Sequence, residues 1–353
     1  MANHALIVGA TGITGSNIAH ELVAKGWKVT GLSRKPGIEV PGISHVYADV
    51  LDAAGLTDAI SDLGVTHLFF CTWSRQATEA ENCEVNGAMM RNTLAAVNAK
   101  TPIQHAVLIT GLKHYLGPFE DYAKNPAETP FRESQGRLPG LNFYYVQEDE
   151  LFASAAKHGH TWSVHRPHTM IGYALGNVMN MGVTLALYAS ICKHTGRPWV
   201  FPGSVEQYNG VTDVTDARIL AKHAVWSATE PAAANEAFNT VNGDVFRWRQ
   251  LWTAIGEYFG LENPGHPGEV QPLEPRMSDA DEVWADIVAA HGLAEFKATD
   301  LASWWHTDAD LGRTVETFAD MGKSRELGFK EFQVTIKSFT DLFDRLRAER
   351  IIP

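Results

Sequence analysis

Three glycines spaced three residues apart, Gly9, Gly12 and Gly15, separate a run of apolar residues from the start of a helical pattern. The apolar run, residues 5–8, is typical of a strand that is buried on both faces of a parallel sheet. In a strand–turn–helix unit, the first glycine allows a tight turn, the second lets the backbone approach a pyrophosphate, and the third lets the helix pack on the strand. The unit predicts a dinucleotide site, contacted by Gly9, Thr11, Gly12, Ile13 and Gly15.

Short apolar runs recur along the first half of the chain, with helical stretches between most of them. This alternation predicts right-handed βαβ units and a Rossmann-type, doubly wound parallel sheet. The predicted strands are residues 5–8, 27–32, 44–47, 67–71, 105–109 and 162–165. We therefore expect residues 1–167 to form mainly a dinucleotide-binding domain of α/β class.

After Pro167 the pattern changes. Helices are predicted at 179–193 and 213–227, a strand region at 198–203, and a strand returning to the sheet near 237–241. A stretch rich in Gly, Pro and Glu at 260–275 indicates a loop, and the remainder is mainly helical. We expect residues 168–353 to form mainly a smaller, helical substrate lobe.

Composition excludes several classes of protein. The net charge of −12 disfavours a nucleic-acid partner, because phosphate binding needs clustered Lys and Arg. Neither a membrane-spanning stretch nor a signal-peptide pattern is visible. The three cysteines have no metal-ligand spacing and are too few for a disulfide framework, so we expect a cytoplasmic protein without a metal site. A homodimer remains an open expectation.

The end of the second predicted strand indicates which dinucleotide is bound. An NAD site usually has Asp or Glu there, whereas this chain has Ser33, Arg34 and Lys35. A hydroxyl and two cations suit a 2′-phosphate, so NADP(H) is the expected cofactor, although a solvated basic turn is the alternative. Asp49 and Val50 follow the third strand and are candidates to hold the adenine, with an exposed turn as the alternative.

The usual catalytic pattern of short-chain dehydrogenases, Tyr-x-x-x-Lys on one helix, is absent. Four residues after Tyr144 and Tyr145 stand Glu148 and Asp149. Lys113 instead follows the predicted strand 105–109, whose carboxyl end should point into the cofactor crevice. Spacing alone leaves Lys113 open to either a catalytic or a solvated role.

Several long motifs resemble one family, the progesterone 5β-reductase/iridoid synthase-like group of extended short-chain dehydrogenases. The resemblance covers nearly the whole chain. The motifs that carry it are GATGITG (9–15), SRKP (33–36), CTW (71–73), ENCEVNGAMMRN (81–92), TGLKHYLGPFE (110–120), NFYYVQED (142–149), TWSVHRP (161–167), YASICKHTGRP (188–198) and NEAFNTVNGDVFRWRQLW (235–252).

The resemblance implies that Lys113 and Tyr144 are the catalytic pair, with Tyr145 as the alternative tyrosine. It also implies that Trp73 lines the substrate pocket and that Phe332 covers it. Met179 and Met181, at the start of a lobe helix, are further candidates for an otherwise apolar wall, although core packing is the alternative for both. The remaining residues expected to contact the cofactor are Thr72, Thr110 and Pro167.

The implied activity is NADPH-dependent reduction of the activated C=C bond of a small apolar enone or enal, steroid-like or smaller. Tyr144 would stabilise the enolate oxygen, and Lys113 would orient Tyr144 and bind the ribose. Two alternatives stay open. One is a carbonyl reductase or a sugar-nucleotide epimerase or dehydratase on the same fold, and the other is a non-catalytic NADP(H) sensor.

Overall fold

The computed structural model describes residues 3–37, 39–118 and 128–353. Its strands are β1 (His4–Val8), β2 (Lys28–Ser33), β3 (Ser44–Tyr47), β4 (His67–Phe70), β5 (His105–Ile109), β6 (Thr161–Pro167), β7 (Met170–Ile171), β8 (Thr215–Asp216) and β9 (Glu236–Thr240). The six strands predicted in the first half of the chain are all present, within one or two residues at their ends.

A parallel sheet of seven strands in the order β3-β2-β1-β4-β5-β6-β9 forms the centre of the described structure. From the centre of the sheet, β1, β2 and β3 follow one another toward one edge, and β4, β5, β6 and β9 follow one another toward the other edge. A crevice therefore opens between β1 and β4, where the chain changes direction across the sheet. The last strand, β9, comes from the second half of the chain and pairs with β6. The Rossmann-type fold is confirmed.

Helices cover both faces of the sheet and build the lobe. They are α1 (Ile13–Ala24), α2 (Ala53–Ile60), α3 (Glu79–Val97), α4 (Lys113–Leu116), α5 (Phe143–His158), α6 (Met181–Thr195), α7 (Val205–Asn209), α8 (Ala217–Ser227), α9 (Trp248–Phe259), α10 (Leu273–Arg276), α11 (Ala280–His291), α12 (Ala298–Leu301), α13 (Trp304–Leu311), α14 (Gly322–Glu326) and α15 (Thr335–Ala348).

Strand β1 shows how the sequence builds two cores. Ala5 and Ile7 point to one face and pack with α1 and α8, whereas Leu6 and Val8 point to the other and pack with α2, α3 and α5. Successive side chains of a strand alternate between faces, so a continuous apolar run is what a sheet with helices on both faces requires.

The lobe has its own apolar core around α6, which packs against α9, α11, α13 and α15. Trp199 stacks on Trp252 with ring centroids 4.0 Å apart, and each indole N–H donates to the other residue's backbone carbonyl. The strand predicted at 198–203 is therefore wrong. This segment is irregular, because its aromatic side chains are buried against helices of the lobe core rather than paired in a sheet.

The helix predicted from residue 213 begins later. Asp216 is the N-cap of α8, and its carboxylate accepts from the backbone N–H of Arg218. Asp213 lies before the helix and is buried, where it bonds the ring of His168. In the described part of the chain, no helix is long and apolar enough to cross a bilayer.

Candidate active site

A cavity of about 630 Å³ opens where β1, β4, β5 and β6 end, with the lobe on its far side. A neighbouring pocket of about 230 Å³ lies beside the ends of β2 and β3. The two share Gly9, Thr11, Arg34, Thr72 and Trp73 in their walls. Together they form an elongated cleft along the carboxyl edge of the sheet, which is where ligands of open α/β sheets bind.

The glycine turn between β1 and α1 fits the pyrophosphate of a dinucleotide. Gly9 has φ +82°, and a Cβ on Gly15 would lie 2.2 Å from the carbonyl oxygen of Gly9. A Cβ on Gly12 would instead meet only that oxygen, at 3.5 Å, so the backbone there faces open space. Helix α1 begins without a side-chain cap and without an acidic residue in its first turn, which leaves its positive end available to an anion.

The smaller pocket holds most of the residues predicted to select the cofactor. Ser33, Arg34, Asp49, Val50 and Thr72 line it. Arg34 is exposed. The Asp49 carboxylate already accepts from the backbone N–H of Leu51 at 2.9 Å.

Lys35, the second cation of this turn, is exposed and does not line either pocket. The geometry thus brings Ser33 and Arg34 to the pocket and leaves Lys35 outside its wall.

Lys113 is the first residue of α4, four residues after β5 ends, and its side chain lines the cavity. The residue is buried, with 6% of its surface exposed. Its Nζ lies 4.9 Å from the ring centroid of Phe143 and 5.5 Å from that of Trp73. The lysine is therefore not the solvated loop residue that spacing alone allowed.

Tyr144 reaches the same cavity from the first turn of α5. A Cβ built on Gly111 would lie 3.3 Å from its hydroxyl and 3.2 Å from the carbonyl oxygen of Pro167. The phenol thus lies over the loop that leads from β5 to Lys113. Burial raises the pKa of Tyr144 above its usual value, and the nearby Glu79 carboxylate raises it further, so the hydroxyl stays protonated at neutral pH.

The neighbouring Tyr145 faces elsewhere. Its hydroxyl donates to the backbone carbonyl of His114 at 2.7 Å and accepts from the backbone N–H of Leu138 at 3.0 Å. The ring does not line the cavity. Of the two tyrosines that the sequence could not separate, Tyr144 is the one at the site.

Glu148 occupies the helical position that carries lysine in the Tyr-x-x-x-Lys pattern. The side chain is buried beside Arg137, at 2.9 Å, and Arg166, at 3.8 Å. Burial raises the pKa of Glu148, and the Arg166 charge opposes that shift. This position belongs to a buried ion-pair network, whereas Lys113 lines the cavity from α4.

Most of the other predicted residues also line the cavity. Trp73, Thr110, Pro167 and Met179 do so, and Trp73 stacks on Phe143 with ring centroids 5.3 Å apart. Met181 does not, since it is buried in the lobe core.

The structure does not place Phe332 at the cavity. The residue is 67% exposed, and its Cβ lies near the backbone of Gly243, just after the edge strand β9. It sits in the loop before α15, whereas α13 is the element that borders the cavity on the lobe side. The expectation that Phe332 covers the pocket is therefore corrected.

Sequence reasoning missed the lobe side of the site. His168 and Thr169 follow β6, and His306, Asp310 and Arg313 come from α13 and the residues after it. No local pattern marks them, because their side chains meet only through tertiary packing. Within residues 3–37, 39–118 and 128–353, no group of three or more His, Cys, Asp or Glu side chains could hold a metal ion.

Known proteins resemble this chain over most of its length. Residues 40–353 match the family model described as a PRISE-like Rossmann-fold domain. The chain belongs to the PRISE-like family. The resemblance to progesterone 5β-reductase and iridoid synthase, predicted from the motifs, is confirmed, and this PRISE-like chain is an oxidoreductase.

Two relatives illustrate the similarity. The PRISE-like chain is 42% identical over 362 residues to the (S)-8-oxocitronellyl enol synthase of Nepeta cataria, covering 99% of this chain and 93% of that protein. It is 40% identical over 363 residues to the 3-oxo-Δ4,5-steroid 5β-reductase of Arabidopsis thaliana, with the same coverage of both chains.

Solved structures share the fold at low sequence identity. The UDP-glucose 4-epimerase of Brucella ovis, in complex with NAD, is 18% identical with a TM-score of 0.67 and covers 97% of both chains. The enzyme WbmH of Bordetella bronchiseptica, in complex with NAD⁺, is 17% identical with a TM-score of 0.65 and covers 98% of this chain and 99% of that one. At these identities the likeness shows that the PRISE-like chain shares an architecture with these two enzymes.

Proposed function

We propose that this chain is an NADPH-dependent ene-reductase that reduces the activated C=C bond of an enone or enal. The observation that carries the proposal is the convergence of Lys113 and Tyr144, from α4 and α5, on the cavity that begins at the glycine turn. The similarity to an (S)-8-oxocitronellyl enol synthase and to a steroid 5β-reductase supports the same chemistry.

The proposed role of Tyr144 is to donate a hydrogen bond to the carbonyl oxygen of the substrate. When bound, NADPH supplies the hydride that adds to the β-carbon, and negative charge then develops on that oxygen as an enolate. A phenol whose pKa is raised by burial remains a hydrogen-bond donor throughout, so it stabilises the developing charge without first having to be protonated. The α-carbon takes its proton from solvent.

Lys113 is assigned two tasks. Its ammonium group is buried among aromatic rings, where a positive charge acts over a longer distance than in water. It orients the Tyr144 hydroxyl, and it donates to the ribose hydroxyls of the cofactor. Because it lies on a separate helix from Tyr144, its position depends on how α4 and α5 are held together.

NADPH is the proposed cofactor rather than NADH. The turn after β2 has no carboxylate for the ribose hydroxyls, and it presents Ser33 and Arg34 to the smaller pocket. An exposed guanidinium at this place suits a 2′-phosphate, which it can bind through two parallel hydrogen bonds.

The experiment that tests the proposal is NADPH oxidation by the purified chain with matched substrates. We expect turnover with 2-cyclohexen-1-one and progesterone, and none with cyclohexanone. Product analysis should find the saturated ketone rather than the allylic alcohol, since hydride adds to the β-carbon.

The alternatives have distinct outcomes. Turnover only of saturated carbonyls, or formation of allylic alcohols, would identify a carbonyl reductase. Epimerisation of a UDP-sugar without net NADPH consumption would identify an epimerase-like enzyme. Tight NADPH binding with no turnover of any of these compounds would identify a sensor.

A further inference from the structure

The first turn of α5, which carries Tyr144, is held by side chains on both sides. The side chain of Asn142 accepts from the backbone N–H of Tyr144. The backbone N–H of Phe143, one residue earlier, donates to the Glu79 carboxylate at 2.9 Å. Glu79 is the first residue of α3 and lies 64 positions away in the chain. Part of the support for this turn therefore comes from another helix.

A carboxylate suits this place electrostatically. The N-terminus of a helix has free N–H groups and a partial positive charge, which a negative charge stabilises. The first turn of α5 contains no acidic residue of its own, so Glu79 supplies that charge from α3. Burial raises the pKa of Tyr144, and the Glu79 charge raises it further, which agrees with a carboxylate close to the phenol.

Both oxygens of the Glu79 carboxylate have partners. Oε1 accepts from Phe143, and Oε2 accepts from the side-chain amide of Asn82 at 2.9 Å. Asn82 Oδ1 in turn accepts from the backbone N–H of Gln76 at 2.8 Å. Gln76 lies in the loop between β4 and α3, three residues after Trp73. One chain of hydrogen bonds thus connects the loop of Trp73 with the turn of Tyr144.

Phe143 links this chain to the site. Its buried ring lies 5.3 Å from the Trp73 ring and 4.4 Å from the Tyr144 ring, measured between centroids. The Nζ of Lys113 lies 4.9 Å from the Phe143 centroid. A shift of the Phe143 backbone would therefore disturb the ring against which both proposed catalytic side chains lie.

Helix α3 packs closely along α5. A Cβ on Gly87 would lie 2.7 Å from Cγ1 of Val146, so a side chain there would have to displace Val146. Farther along, Arg91 forms an ion pair with Glu150 at 2.6 Å. Of these contacts between the two helices, the bond from Glu79 is the one at the Tyr144 end of α5.

We infer that Glu79 is a positioning residue, which holds the Phe143 N–H and thereby sets where the Tyr144 hydroxyl lies relative to Lys113. Glu79 does not line the cavity, so it acts through Tyr144 and not on the substrate. The inference rests on the proposed ene-reductase function, since it concerns the same reaction. A displacement of about 1 Å at a reacting group can lower a rate by about 10²-fold, so such support is needed.

Three substitutions separate the reach of the side chain from its charge. Glu79→Gln keeps an oxygen that reaches Phe143 but removes the charge. Glu79→Asp keeps the charge but is shorter by one C–C bond, about 1.5 Å. Glu79→Ala removes both. With 2-cyclohexen-1-one, kcat should fall about tenfold in the Ala and Asp variants and at most about threefold in the Gln variant, while the KM for the enone stays within about twofold of the parent.

Two control variants test whether any loss at this interface has the same effect. Glu81→Ala removes a carboxylate from the same turn of α3, but one that accepts from the Thr78 backbone instead. Arg91→Ala removes the polar contact with Glu150 at the other end of α5. Both should keep the parent kcat. Denaturant unfolding of all variants shows which of them lose stability.

A double variant tests whether Glu79 acts through Tyr144. Without the Tyr144 hydroxyl, there is no donor left for Glu79 to position. Glu79→Ala/Tyr144→Phe should therefore have a kcat within about threefold of Tyr144→Phe alone. A purely structural role of Glu79 would lower kcat by the same factor in both backgrounds.

Several results would overturn the inference. These are a parent kcat in both Glu79→Ala and Glu79→Asp, an equal loss in Glu79→Gln and Glu79→Ala, an equal loss in Arg91→Ala, or a full tenfold loss that persists in the Tyr144→Phe background. If Glu79→Ala does not fold, the Asp and Gln variants decide. Absence of turnover with every enone and enal would overturn the proposed function and this inference with it. Enone turnover that is insensitive to Glu79 would overturn the inference alone.

Discussion

The side-chain amide of Asn142 donates a hydrogen bond to the backbone carbonyl of Lys113 at 2.8 Å. The carbonyl oxygen of the same side chain accepts from the backbone N–H of Tyr144 at 3.0 Å and caps α5. One buried amide thus connects the two helices that carry the proposed catalytic pair. This connection explains how a lysine and a tyrosine far apart in the chain can keep a defined relative position.

Replacing Asn142 should damage catalysis beyond its effect on stability. In Asn142→Ala, loss of the cap and of the bond to Lys113 should lower the free energy of unfolding by about 1–2 kcal/mol and kcat by about tenfold or more. Asn98→Ala is the control, since Asn98 also bonds backbone groups on both sides, Leu94 and Ile103, but lies outside the cavity. Denaturant unfolding and enone turnover are measured for both. Equal losses of kcat in the two variants would refute the positioning role of Asn142.

Loss of the hydroxyl should lower the catalytic rate at Tyr144 and the stability at Tyr145. Tyr144→Phe removes the proposed donor to the enolate oxygen and should lower kcat by about 10²–10³-fold. Tyr145→Phe instead leaves two backbone groups without their partner and should lower the free energy of unfolding by about 1 kcal/mol, with a much smaller effect on kcat. Steady-state kinetics with 2-cyclohexen-1-one and thermal unfolding distinguish them. The mechanism fails if Tyr144→Phe turns over as fast as the parent.

Substitutions of Gly12 and Gly15, the second and third glycines of the phosphate turn, should separate an effect on cofactor binding from an effect on folding. Gly12→Ala adds a Cβ that meets only the Gly9 oxygen at 3.5 Å, so the variant should fold normally and bind NADPH more weakly. Gly15→Ala adds a Cβ at 2.2 Å from that oxygen and 2.8 Å from Ala10 Cα, so it should unfold at a markedly lower temperature. Melting curves and fluorescence titration with NADPH check both. Undiminished NADPH affinity in Gly12→Ala would place the pyrophosphate elsewhere.

Arg34 should decide the preference between the two dinucleotides. We expect the parent to bind NADPH more tightly than NADH. Arg34→Ala should weaken NADPH binding by about tenfold or more and leave NADH binding nearly unchanged, because only NADPH carries the 2′-phosphate. Arg91→Ala, which removes an arginine paired with Glu150 away from the cleft, is the control. Equal affinity of the parent for both cofactors would show that the basic turn does not select NADP(H).

Stability should fall as the pH drops below about 6.5, because several histidines are buried in the neutral form. Desolvation lowers the pKa of His223 from 6.5 to about 3, and its Nδ1 lies 3.1 Å from His165 Nδ1, whose pKa burial also lowers. In this window the unfolded chain binds protons that the folded chain excludes, so each such histidine removes roughly 1.4 kcal/mol per pH unit.

His223→Leu tests this directly. The free energy of unfolding is measured between pH 6 and pH 4.5. Its slope against pH should be smaller in His223→Leu than in the parent, by up to the contribution of one bound proton, about 1.4 kcal/mol per pH unit. His194→Gln is the control, since it removes an exposed histidine instead of a buried one. An identical slope in His223→Leu would mean that His223 is not buried neutral in the folded state.

The amino-acid sequence by itself determined the local units and, through them, the class of fold. The apolar run of β1, the glycine turn and the spacing in α1 are readable because strand and helix periodicity and glycine's backbone freedom act within a few residues. Parallel strands followed from the same runs, since only strands covered on both faces are apolar throughout. The basic turn at Ser33 and Arg34, and the motifs around Lys113 and Tyr144, also belonged to this local information.

Tertiary structure decided which of these residues share a site. Tyr144 and Tyr145 are neighbours in the chain, and only the packing of α5 places the first at the cavity and the second against α4. The family resemblance implies that Phe332 covers the pocket, but Phe332 is exposed and does not line the cavity. His306 and Arg313 do line it, although no local pattern marks them. The periodicity of a sequence indicates that a side chain is buried. Which residues it contacts depends on segments that are distant in the chain, and only the folded structure brings these together.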